Sequence, residues 1–194
     1  GIIFAAVSML YIVAFETFSK FFKAVLKNQY LIMAVGGGIV ALLTLVLQSN
    51  EYLGTGISQI PDLLFVSAPW YVFLLKILFT AVSLGAGFKG GEIAPAMFVG
   101  ASLGSFLAPM FGLPIPLVVA CGMVAVFCGV TNSPITAIVF SVELFGASQI
   151  YYIMICVAVS YLISEYFSIY KTQKIMYSKY STTFINRKSH HIDT

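Results

Sequence analysis

Hydrophobic residues come in seven runs along the chain, roughly 2–15, 31–47, 69–84, 93–111, 115–128, 134–147 and 150–169, parted by Gly, Pro, Asn and Ser rather than by charged loops. A helix needs roughly 20 residues to cross a hydrocarbon layer about 30 Å thick. Several of these runs are nearer fourteen, too short to span upright. Backbone that leaves the helix at membrane depth is tolerated only where protein buries it or where it lines a water-filled cavity, because lipid offers no hydrogen bonds. The pattern therefore predicts an all-α membrane chain of short, tilted and broken helices arranged about a polar pathway.

Local punctuation agrees with that segmentation. Thr131-Asn132-Ser133-Pro134 offers capping hydroxyl and amide groups directly before a proline suited to a first helical position, so a helix should open there and run through Glu143 to a stop at Gly146. Leu113-Pro114-Ile115-Pro116 divides the 93–111 run from the 115–128 run.

Composition sharpens the picture. Hydrophobic residues make up 60% of the 194 and charged residues 9%, against about 25% charged in soluble domains. A soluble globular domain and a disordered chain are both excluded. Cys121, Cys128 and Cys156 show no C-x-x-C spacing and say nothing about redox compartment. The chain opens Gly1-Ile2-Ile3-Phe4 inside an apolar run, and we read it as beginning mid-protein.

Charge places the flanks. Between Gly90 and Tyr170 there is no Lys or Arg, and the acids are Glu92, Glu143 and Glu165, which marks the buried heart. Lys20, Lys23 and Lys27 form one basic cluster, and Lys171, Lys174, Lys179, Arg187 and Lys188 form another. The positive-inside rule puts the tail after Tyr170 in the cytoplasm and leaves the side of the first cluster open. The net charge of +3 reflects these flanks, and no basic face with interleaved aromatics suggests nucleic acid. His190-His191 are read as tail residues, not metal ligands. The apolar region holds no H-E-x-x-H, G-x-S-x-G or paired-His arrangement, so no enzyme, metal or cofactor is expected.

The richest stretch is Gly85-Ala86-Gly87-Phe88-Lys89-Gly90-Gly91-Glu92-Ile93-Ala94-Pro95, with four glycines in seven residues before an apolar helix. Free amides at a helix start attract an anion, and glycine lets the backbone approach it. Tight helix packing through small residues is the other reading. Glu92 is an intramembrane acid, hence a functional candidate, although capping of nearby amides or contact with Lys89 would also account for it. Glu143 and Glu165 receive no transport role.

Gly90-Gly91-Glu92-Ile93-Ala94-Pro95, followed by Met97-Phe98-Val99-Gly100-Ala101-Ser102-Leu103-Gly104, resembles the G-G-x-F-x-P signature and following helix of the CLC family of chloride channels and anion/proton antiporters. Asn132-Ser133-Pro134-Ile135-Thr136 through Val142-Glu143-Leu144 is similar to a later helix of that family. Gly54-Thr55-Gly56-Ile57 resembles the turn before its short middle helix, and Ser168-Ile169-Tyr170 the entry to its final helix.

The resemblance implies the second half of an inverted-repeat CLC transporter fold, with residues 1–170 as the transmembrane half-domain and 171–194 as the final helix and basic polar tail. It implies an anion site made by Gly90, Gly91, the amides of Glu92 and Ile93, and the hydroxyl of Tyr170, for which an interfacial belt role is the alternative. Met97 and Phe98 become candidates for lining the pathway. Chloride-type members usually carry an apolar residue at Glu92 and phenylalanine at Ile93, so this loop looks like the bacterial fluoride/proton antiporter branch, with Glu92 the proton-coupling candidate. A chloride/proton antiporter, a chloride channel and a non-transporting membrane module are the rival readings. The implied partners are fluoride or chloride, protons, the lipid bilayer, the missing N-terminal half and a second copy in a homodimer. The implied location is the bacterial inner membrane, and the family's gating glutamate belongs to the half this chain lacks.

Overall fold

The structure, a computed structural model, describes residues 1–170 and 172–189, with side chains described except at 187 and 188. Lys171, His190 and His191 lie outside the described residues. The helices are α1 (Ile2–Val25), α2 (Gln29–Leu47), α3 (Ile60–Leu63, after a 3-10 turn at Ile57–Gln59), α4 (Tyr71–Gly85), α5 (Ile93–Met110), α6 (Ile115–Thr131), α7 (Pro134–Phe145) and α8 (Ile150–Ile163). Three of them, α1, α2 and α5, are long and apolar enough to cross a membrane, and α4, α6, α7 and α8 are apolar but shorter.

Helices α5 and α6 form the most extensive pair and the centre of the core. Their residues are buried almost without a break from Pro95 to Ser105 and from Val118 to Thr131. Small residues permit this closeness. A Cβ on Gly100 would strike the backbone carbonyl of Gly122, and one on Gly104 would sit 2.5 Å from that of Val118. Gly100→Ala should therefore destabilise the protein by about 1–3 kcal/mol, because backbone carbonyls cannot step aside as a side chain can. Gly38→Ala on α2, where the added methyl meets nothing within 4 Å, serves as the control. Thermal unfolding in detergent should show a fall for the first and none for the second.

Around this pair, α1 seats on α6 where Gly129 faces the Ser8 hydroxyl, and α8 is tied to α6 by the Ser160 hydroxyl donating to Ala125 O at 2.7 Å. Ser105 on α5 donates to Val66 O at 2.7 Å and accepts from the Ala68 amide at 3.0 Å, fixing the segment between α3 and α4.

Several expectations need correction. Helix α1 continues well past residue 15, since Glu16, Lys20 and Lys23 remain helical. At the α6–α7 junction, α7 does open on Pro134 and ends at Gly146, but the expected caps do other work. Asn132 adopts a left-handed conformation (φ 56°) and closes α6 through its amide to Cys128 O, while the Ser133 hydroxyl donates to Thr131 O. The reversal is so tight that these residues finish one helix instead of capping the next. Glu143 and Glu165, expected in the buried heart, are exposed in this chain.

The final helix expected within 171–194 is replaced, among the described residues, by an antiparallel hairpin of β1 (Lys174–Tyr177) and β2 (Phe184–Lys188). Ile175 and Tyr177 in β1 and Phe184 and Ile185 in β2 favour a pleated strand over a helix. Tyr177 and Phe184 stack edge to face at 5.7 Å.

The hairpin turn docks on the end of α8. Lys179 Nζ donates to Tyr161 O at 2.6 Å and lies 3.8 Å from the centre of the Tyr161 ring, while the Tyr180 hydroxyl donates to Leu162 O at 2.7 Å. These groups serve the carbonyls that a helix end leaves open. Burial pulls Lys179 down from 10.5 to about 8, against the opposing pull of Cys128 and Glu165. Between those two values the detached tail holds more protons than the docked one, so docking strengthens as pH rises through that window and is pH-independent below it. The reaction rate of Lys179 with an amine-directed reagent should accordingly titrate near pH 8.

Candidate anion-binding site

The loop from Ala86 to Glu92 is placed by two helices. On α2, Gly36 leaves room for Ala86 and Gly37 for the Phe88 ring. On α1, the Phe18 and Ser19 backbone runs against Gly85, where a Cβ would lie 3.1 Å from the Ser19 nitrogen. Gly87 takes φ 89°, a conformation that side-chain-bearing residues rarely adopt, and turns the chain toward α5. The tight packing that the glycines permit is thus real at Gly36, Gly85 and Gly100. Gly90 and Gly91 have a different character: both are exposed, and a Cβ on Gly91 would touch nothing within 4 Å.

Helix α5 then begins with Glu92 as its N-cap. The Glu92 side chain makes no capping hydrogen bond, and no acidic residue stands in the first turn. The first amides of an 18-residue helix are therefore not taken up by its own cap. Pro95 lacks an N–H, so the donors are concentrated at Glu92, Ile93 and Ala94. With the helix macrodipole behind them, they suit a small dehydrated anion. Glu92 and Ile93 are half-buried. Gly90, Gly91 and Pro95 line a cavity of about 190 Å³, with Thr55, Thr80 and Lys89 among its other walls.

Tyr170 is exposed and does not line that cavity; its backbone is held by the Ser168 and Ser189 hydroxyls, next to Ile169, whose amide bonds Val130 O at 3.0 Å. Met97 and Phe98, expected on a pathway wall, are buried in the helix packing, at 9% and 2% exposure.

Phe98 instead belongs to a cluster that the sequence did not advertise. Lys76 on α4 is fully buried, and its Nζ donates to Tyr52 O at 3.2 Å and Gly54 O at 3.1 Å while lying 5.0 Å from the centre of the Phe98 ring. A Cβ on Gly56 would come within 2.9 Å of Phe98 and 3.1 Å of Lys76 Nζ, so the glycine makes the cluster possible. Tyr11 was missed as well: its hydroxyl donates to the backbone carbonyl of Glu92 at 2.8 Å. Glu16, also on α1, is buried at 6% exposure. A charged or phenolic side chain within an apolar run was the available signal for Lys76 and Tyr11. Among the described residues no group of three or more His, Cys, Asp or Glu side chains is placed to hold a metal.

Apolar helices that stop short, joined by irregular backbone ahead of a helix start without a side-chain cap, define a polytopic membrane protein of the broken-helix kind. The chain belongs to the voltage gated chloride channel family, whose sequence profile matches residues 1–165. It is similar to the "Chloride/fluoride channel protein" of Pseudomonas syringae pv. tomato, with 37% identity over 187 residues, covering 93% of this chain and 41% of that protein. It is also similar to the "Voltage-gated ClC-type chloride channel ClcB" of Salmonella typhimurium, with 32% identity over 130 residues, covering 61% of this chain and 30% of that one. The crystal structure of a CLC-type fluoride/proton antiporter superposes with a TM-score of 0.81 at 34% identity, covering 87% of this chain and 43% of that one. The chain thus spans about two fifths of the length of these two fluoride-associated relatives.

Proposed function

We propose that this chain is the C-terminal half of a fluoride/proton antiporter and supplies the anion site at the start of α5. The observation that carries the reading is the start of α5, where an 18-residue helix without a side-chain cap opens directly after an exposed glycine pair. Neutral N–H donors hold an anion without the deep trap of a fixed cation, and transport needs a site that releases as well as binds. The names of the Pseudomonas syringae relative and of the superposed crystal structure supply fluoride, and the second of them supplies proton exchange.

In this reading the Tyr170 hydroxyl contributes a further donor, and Glu92 exchanges the coupled proton. The remaining half of the transporter completes the pathway. A second copy packs on the apolar residues that α7 and α8 expose, such as Ile135, Val139, Tyr151 and Ile155. The protein resides in a bacterial inner membrane, with the basic tail in the cytoplasm.

Efflux from liposomes loaded with fluoride or chloride, followed with ion-selective electrodes on the full-length protein, tests the selectivity. Fluoride should leave far faster than chloride. Equal rates for both ions would return the protein to the chloride-type reading, and no efflux of either would favour a non-transporting module.

A further inference from the structure

We propose that Tyr11 is a positioning residue for the anion site, holding the Ile93 amide in the direction from which it donates to the anion. The inference rests on the reading of the α5 start as that site. A peptide unit is planar and trans, so the carbonyl of Glu92 and the N–H of Ile93 are opposite ends of one rigid plate. Whatever holds the carbonyl aims the N–H. The Tyr11 hydroxyl holds it, at 2.8 Å, from a helix 81 residues away in sequence.

The surroundings explain why a tertiary clamp is needed there. Gly90 and Gly91 carry no side chains to pack, Gly91 has open space around it, and the Glu92 side chain makes no cap. A helix start with those features is free to fray. Tyr11, by contrast, is 2% exposed and locked in the main core, on a helix seated against α6 through Phe4 at Gly122 and Ser8 at Gly129. Its ring cannot swing without disturbing close-packed neighbours. Donation to the carbonyl also polarises the peptide, which strengthens the N–H at its other end as a donor.

The test uses the full-length protein reconstituted in liposomes, with wild type and Tyr11→Phe compared for the fluoride dependence of transport. The Phe ring keeps the packing and removes the donor. The fluoride concentration for half-maximal rate should rise on the order of fivefold, with maximal rate little changed and discrimination against chloride reduced. Tyr11→Met, which fills similar space without a donor, serves if the Phe variant does not fold. A variant that folds and keeps wild-type half-saturation and selectivity overturns the proposal, since a merely structural hydroxyl would change thermal stability alone. Fluoride titration of the Ile93 amide by 15N NMR separates the role of Tyr11 from that of the site. A wild-type resonance that shifts with the same midpoint in the variant overturns the role of Tyr11 and leaves the site standing. A wild-type resonance indifferent to fluoride removes the site itself.

Discussion

Glu92→Gln in the full-length protein is expected to stop proton movement while fluoride continues to pass. Within Gly90–Pro95, Glu92 is the one side chain able to take up and release a proton, and it stands at the N-cap, on the peptide units proposed to hold the anion. Glutamine keeps its size and hydrogen-bonding reach but cannot ionise. Loss of a positioned acid or base slows proton transfer on the order of 10²-fold or more. Because glutamine matches glutamate in shape and polarity, the helix start should survive the change and fluoride flux should persist. Measuring fluoride and proton flux in the same vesicles reads the effect directly. A variant that still couples the two would make Glu92 a structural residue.

The second large effect is expected at Lys76. Its ammonium lies against Phe98, five residues along α5 from Ile93, which places a fixed positive charge roughly 10 Å from the helix start. At that separation and an effective dielectric near 20, it attracts an anion by about 1.5 kcal/mol, or on the order of tenfold in affinity. Its engagement with Tyr52 O, Gly54 O and the ring keeps it from binding the anion itself. Lys76→Met should therefore weaken fluoride binding about tenfold and also destabilise the protein by about 1–3 kcal/mol, through the two carbonyls left without their donor. Fluoride-dependent flux reads the first effect and thermal unfolding the second. Unchanged affinity in a destabilised variant would reduce Lys76 to a structural staple.

Much of this was legible in the chain. The glycines of 85–91 and Pro95 placed the α5 start, and the Pro114–Pro116 break and Gly146 placed helix boundaries, because each acts through its own backbone. What escaped depends on partners far away in sequence. Tyr11 looks like any aromatic in an apolar run until α1 is laid beside Glu92, and Lys76 finds its carbonyls 22 and 24 residues upstream. The four residues of α3 are too few to show a periodicity, and only the resemblance pointed to a short helix there. The tail was assigned by analogy to a helix, whereas its own β-branched and aromatic residues favoured strands.

Fluoride/proton exchange at the α5 start would move protons against outgoing fluoride. Its most direct test is proton movement driven by a fluoride gradient alone, recorded with a pH-sensitive dye inside liposomes that contain the full-length protein at zero membrane potential. An outward fluoride gradient should drive protons inward, against a small opposing pH difference, and an equal chloride gradient should not. Fluoride flow without proton uptake would contradict the account by making the protein a passive channel.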